Sequence, residues 1–288
     1  MKRLVYCLAI LSILMFACNI STTATPPAVV VTAVPVLADT PTTAATPTAN
    51  EPPTATVPPA PQTNVNCNEL ALYLDPALAS GFSCQSVAEV INQGGPGFEV
   101  NPKYTELTLT GYVLADRFFA PKISVYPVQR YSELLPDVIP DRVIALQALV
   151  GGGPTGSKGL PILPLFNAGQ EFYAQYGVLP FSSGNGTRYL TQYSQFVDPI
   201  NNHEMFYTFQ GLTSDGKYWV SAILPISNPL LPANGDNPPN GQSPEQFSNN
   251  FPTYITDLAT QLNAQPPENF SPGIGILDAL VASISVQP

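Results

Sequence analysis

Glu204-Met205-Phe206-Tyr207-Thr208-Phe209-Gln210-Gly211-Leu212 and Lys217-Tyr218-Trp219-Val220-Ser221-Ala222-Ile223-Leu224-Pro225-Ile226 flank Thr213-Ser214-Asp215-Gly216, and this stretch decides how the folded part of the chain is read. Both flanks are rich in aromatic and β-branched residues, the types that fit a pleated, half-buried surface. The connection contains Asp-Gly, which supplies the positive φ angles of a tight turn. The stretch predicts an antiparallel hairpin.

Upstream, Glu171–Leu179 and Arg188–Val197 have the same strand character, and Asn185-Gly186 predicts a turn between them. Glu106–Leu114 alternates, with Leu107, Leu109, Gly111 and Val113 on one side and Glu106, Thr108, Thr110 and Tyr112 on the other. That period of two marks a strand with one buried face. Lys122–Val128 alternates again, limited by Pro121 and Pro127. Pro140-Asp141-Arg142 opens a helix that aligns Val143, Leu146 and Val150 and stops at Gly151.

Downstream, Leu231–Gly241 is a Pro/Asn/Gly loop. Ser243-Pro244-Glu245-Gln246 has capping-box form with proline at the first helical position. Phe247, Phe251, Ile255, Leu258 and Leu262 then make a helical stripe, which Pro252 is expected to kink or restart. Ser271-Pro272 opens a last helix with Ile274, Leu277 and Val281, and Ser283–Val286 adds a terminal strand. The order predicts an α+β fold, a mainly antiparallel sheet with helices packed on it, formed by residues 65–288 as a single globular domain.

Residues 19–64 have a different composition, dominated by Thr, Pro, Ala and Val, with no aromatic residue and only Asp39 and Glu51 charged. Dense proline removes backbone donors and favours solvated polyproline II, and nothing here assembles a core. A disordered linker is expected, reaching on the order of 140 Å if fully extended at about 3.1 Å per residue.

Ahead of it, Lys2 and Arg3 precede the apolar run Leu4–Phe16 and then Ala17-Cys18. A positive start, a short apolar core and a small residue before the cut describe a signal peptide, residues 1–18. Met15-Phe16-Ala17-Cys18 resembles the lipobox of bacterial lipoproteins, although Met15 and Phe16 depart from the usual first two positions. The resemblance implies that the Cys18 thiol takes a diacylglyceryl group and that cleavage frees its amine. The expected location is the extracytoplasmic face of the cell membrane, lipid-anchored through Cys18. Ordinary secretion with cleavage at another small residue, and an uncleaved anchor, are the alternatives.

Beyond the linker, acids outnumber bases by eighteen (twenty less Asp39 and Glu51) to eight (ten less Lys2 and Arg3). This balance excludes nucleic acid as a natural partner. Cys67 and Cys84 are the only cysteines beyond residue 18. In an oxidising compartment such a pair predicts a disulfide, and no CxxC spacing or nearby histidine supports a redox or metal pair.

Catalytic signatures are sparse. His203 is the only histidine. His203-Glu204-Met205-Phe206-Tyr207 lacks the second histidine of HExxH, and no GxSxG places a serine nucleophile. Gly151–Gly159 lacks the Gly-Lys-Ser/Thr order of a phosphate loop, and Ser214-x-x-Lys217 sits in the hairpin turn. Pro136 and Pro140 interrupt the helix that would align Glu133, Asp137 and Asp141 as paired carboxylates. Asp215, Asp236 and Asn237 offer oxygen ligands without an EF-hand loop. No cofactor or metal is expected.

The candidates that remain are aromatic: Tyr189, Tyr193, Tyr207 and Trp219, with His203 beside them. Such residues alternating with Gln, Thr and Asn form either a platform for sugars or peptides, or an ordinary core with cross-strand pairs. The expected function is a lipid-anchored extracytoplasmic protein with a binding or structural role and an envelope glycan or protein as partner. The alternative is a cell-envelope hydrolase working through carboxylates or a serine.

Overall fold

The Asp-Gly hairpin forms in the middle of a seven-stranded sheet. A computed structural model describes residues 63–91, 94–155 and 159–287. The signal-peptide expectation, Cys18 included, and the linker expectation up to residue 62 lie outside these residues; Asn64, the linker's expected last residue, bonds to Leu72 and Leu74. In chain order the strands are β1 (Val65–Cys67), β2 (Leu70–Leu72), β3 (Ala79–Val87), β4 (Tyr104–Tyr112) and β5 (Lys122–Pro127). After them come β6 (Gly169–Phe181), β7 (Gly184–Ser194), β8 (Phe206–Thr213), β9 (Tyr218–Pro225) and β10 (Ser285–Val286). The helices are α1 (Val128–Leu134), α2 (Ile139–Val150), α3 (Pro244–Asn263) and α4 (Ile274–Ala282). The fold is α+β. The large sheet runs β3-β4-β5-β9-β8-β7-β6 with every pairing antiparallel, and β1-β2-β10 form a small second sheet.

The β8–β9 turn is held by Asp215, which accepts from Thr213 Oγ1 at 2.7 Å and from the Lys217 amide at 3.1 Å, while Gly216 takes φ +70°. Pleat alternation then sends successive side chains to two different cores. Val220, Ala222 and Leu224 join Tyr207, Phe209 and Leu190 under α3 and α4, with Leu258, Leu262, Leu277 and Val281 as the helical contribution. On the other face Trp219 packs with Tyr126, Tyr131, Ile139 and Leu146 beneath α1 and α2. The sheet is thus covered by helices on both faces.

Four local features differ from the sequence reading. Strand β3 goes unannounced in the sequence, because its side chains are mostly exposed and show no apolar alternation. Helix α1 follows β5 without a loop. Asn185-Gly186 lies inside β7, and the β6–β7 turn is Ser182-Ser183. Helix α3 runs unbroken through Pro252, an exposed position where the carbonyl that proline leaves without an intrahelical donor is open to solvent. The capping box is present, with Ser243 Oγ accepting from the Gln246 amide at 3.2 Å and the Ser243 amide donating to Gln246 Oε1 at 2.9 Å.

Cys67 and Cys84 form a disulfide that ties β1 to the edge strand β3, with 17 residues of sequence separation. In the chain-entropy model a loop of that size contributes about 3 kcal/mol. Among the described residues no helix is long and apolar enough to cross a membrane.

Candidate ligand-binding site

The buried side of the α1–α2 face carries an unusual polar residue, Gln210. Its Oε1 accepts from Trp219 Nε1 at 2.7 Å and from the Leu163 amide at 2.9 Å, and its Nε2 donates to Thr208 Oγ1 at 2.8 Å and to Ser221 Oγ at 2.9 Å. Ser221 Oγ in turn donates to the Leu163 carbonyl, and Tyr189 Oη donates to the Pro161 carbonyl at 3.1 Å. These bonds strap residues 159–166 across the sheet. The strap ends at Phe166, whose ring it lays 4.5 Å from that of Tyr193 and 5.5 Å from that of Phe119.

Those rings line one side of a cavity of about 470 Å³ bounded by Phe118, Phe119, Phe166, Asn167, Tyr193, Ser194, Gln195, Phe196, Asp198 and Glu204. Phe206 backs it from β8, with its ring 4.7 Å from Phe119. Two loops supply further wall residues. Phe118 is fixed by its amide, which donates to the His203 carbonyl at 2.9 Å, while His203 Nδ1 returns a bond to the Asp116 carbonyl at 2.9 Å. A carbonyl only accepts, so Nδ1 carries the proton. The His203 ring therefore serves to hold the Phe118 loop against the 199–205 turn.

That turn is organised by Asn201, whose Oδ1 accepts from the His203 and Glu204 amides at 3.0 and 3.1 Å and whose Nδ2 donates to Glu204 Oε2 at 3.3 Å. Asp198 accepts from Ser194 Oγ at 3.3 Å, and Gln195 Nε2 donates to the Asn167 carbonyl at 2.7 Å. Ser194, Gln195, Asp198 and Glu204 are thus each held by their own neighbours. Phe118 and Phe196, by contrast, stand 62% and 72% exposed at this cavity. Arg142 bonds the Ile162 carbonyl at 3.4 Å and sends its charge toward Tyr193, opposing the upward push that burial gives the Tyr193 hydroxyl.

The residues singled out in the sequence do not form one surface. Tyr189, Tyr207 and Trp219 are fully buried. Tyr189 and Trp219 lie on the α1–α2 face and Tyr207 on the α3–α4 face, where its hydroxyl donates to Asp278 Oδ1 at 2.9 Å. Tyr193 alone of the four lines the cavity. Phe118, Phe119 and Phe166 escape sequence reading because they sit in loops without a period, and Phe196, expected inside the Arg188–Val197 strand, falls beyond the end of β7.

The remaining motifs have structural places. Lys217 pairs with Asp215 at 3.1 Å, and Ser214 Oγ donates to the Ser183 carbonyl at 3.2 Å. Glu133 pairs with Arg130 at 3.0 Å, and Asp141 lies in the first turn of α2. Residues 156–158 of the glycine-rich stretch lie outside the described residues. Among the described residues no group of three or more His, Cys, Asp or Glu is placed to hold a metal ion. Compared with known proteins, the chain matches no family model, no curated protein and no solved structure.

Proposed function

We propose that this protein is a lipid-anchored extracytoplasmic binding module, attached through Cys18, carried on residues 19–64 as a stalk, and taking an envelope glycan into the aromatic cavity. The observation that supports it is the pair Phe118 and Phe196. Burying a phenylalanine ring is worth about 1.5–3 kcal/mol, so two rings left in water at one cavity are surface available to a partner. A sugar ring offers an apolar face to such rings and hydroxyls to Asn167, Ser194, Asp198 and Glu204 at the wall.

Titration of the full chain with envelope glycan fragments tests the reading. Phe118→Ala with Phe196→Ala is expected to weaken binding by more than tenfold with unchanged far-UV circular dichroism. Undiminished binding overturns it. The anchor is tested separately by Cys18→Ser, which should release the protein from membranes; unchanged partitioning refutes that part.

The hydrolase reading keeps one specific support, since Asp198 and Glu204 line the same cavity. Glycan turnover abolished by Glu204→Gln would favour it over simple binding.

A further inference from the structure

We infer that the ligand of the aromatic cavity is cationic, a glycan bearing free amino groups rather than a neutral or acidic one; this rests on the reading of the cavity as a glycan site. The wall combines two kinds of group that attract an ammonium. Ring faces carry negative quadrupole charge and bind cations through cation–π contact, most strongly when water is displaced. Phe118, Phe166, Tyr193 and Phe196 supply those faces. Asp198 and Glu204 supply carboxylates, and neither makes an ion pair with any described residue.

No lysine or arginine lines the cavity. Arg142, whose charge acts on the Tyr193 hydroxyl, is engaged by the Ile162 carbonyl. Burial, and then the charge of Asp198, hold the Glu171 carboxyl above its ordinary range, so the negative field of this corner reaches a third acid. The chain as a whole carries a formal charge of −10. An anionic guest would be repelled, and a neutral one would leave both carboxylates facing it without a counter-charge. A protonated amine on a sugar satisfies rings and carboxylates together.

The experiment compares binding of the glucosamine trimer and its N-acetylated counterpart to the full chain, at a pH that keeps the amines protonated. The two probes share a skeleton and differ in charge. The expected result is on the order of tenfold tighter binding of the amine form, an advantage lost in Asp198→Asn with Glu204→Gln and reduced by added salt. Both changes are near-isosteric, and Gln at 204 keeps an oxygen for Asn201 Nδ2, so an unchanged melting temperature is expected alongside. Equal binding of the two trimers, both abolished by Phe118→Ala with Phe196→Ala, overturns the cationic ligand and leaves the glycan site standing. Failure of both trimers to bind, or binding indifferent to the two phenylalanines, overturns both.

Discussion

Trp219 Nε1 donates to Gln210 Oε1 at 2.7 Å across the β8–β9 hairpin, in a part of the sheet from which solvent is excluded. The same amide satisfies Leu163, Thr208 and Ser221. One side chain therefore joins the hairpin to the strap that carries Phe166, and connects the core to the cavity.

Gln210→Ala leaves the Trp219 indole N–H and the Leu163 amide without acceptors. Each buried unsatisfied group costs about 1–3 kcal/mol, so the variant should lose about 3–5 kcal/mol in urea unfolding. Ligand affinity should fall as well, because the strap is no longer pinned. A loss below about 1 kcal/mol would show that the network does not hold the strap.

Gly211→Ala tests why glycines face each other at Gly186 and Gly211 of β7 and β8. A Cβ at 211 would stand 2.6 Å from the Phe209 ring and 3.0 Å from Phe181. Overpacking of this kind costs about 1–3 kcal/mol. Phe209→Leu added to Gly211→Ala should recover part of that loss, with denaturation midpoints as the readout; no recovery would place the strain elsewhere.

Asp278 and Asp215 should give pH dependences of opposite sign. Asp278 joins Arg188, 3.3 Å away, and the Tyr207 hydroxyl, yet burial is the larger effect and raises its pKa. A carboxyl raised on folding is destabilising in its charged form. Stability from this group therefore falls as pH rises from the unfolded value through the folded one. Asp215 is lowered to about 2, chiefly by the Thr213 hydroxyl and then by Lys217, so its contribution is present above the unfolded pKa and fades as pH falls toward 2. Stability measured across an acidic pH series should show the first slope disappear in Asp278→Asn and the second in Asp215→Asn. Parallel curves for wild type and variant would refute the assignment.

Reducing the Cys67–Cys84 bond should lower stability by about 3 kcal/mol. The effect is expected to be local, with amide exchange rising first in β1 and β3, the elements it joins. Uniform exchange across the large sheet would mean instead that β3 is integral to its cooperativity.

Much of the fold is legible in the chain because its signals are local. Asp215-Gly216 defines a turn, Ser243 and Gln246 close a capping box, and two lone cysteines find each other. Strand β3 is not legible, since an edge strand is paired by backbone bonds to β4 and needs little apolar alternation. Gly186 misleads for a related reason: a glycine there predicts a turn, whereas its small size is what admits the Phe209 ring.

What the sequence determined by itself is the class of fold, its period-two strands and capped helix, since these depend on residues a few positions apart. What only the tertiary structure decided is the site. Tyr189, Tyr193, Tyr207 and Trp219 look equivalent along the chain, but strand register places Tyr207 on the opposite face of the sheet from the other three. The cavity then draws Phe118, Phe166, Tyr193, Phe196 and Glu204 from segments far apart in sequence, and sheet pairing is what brings them together.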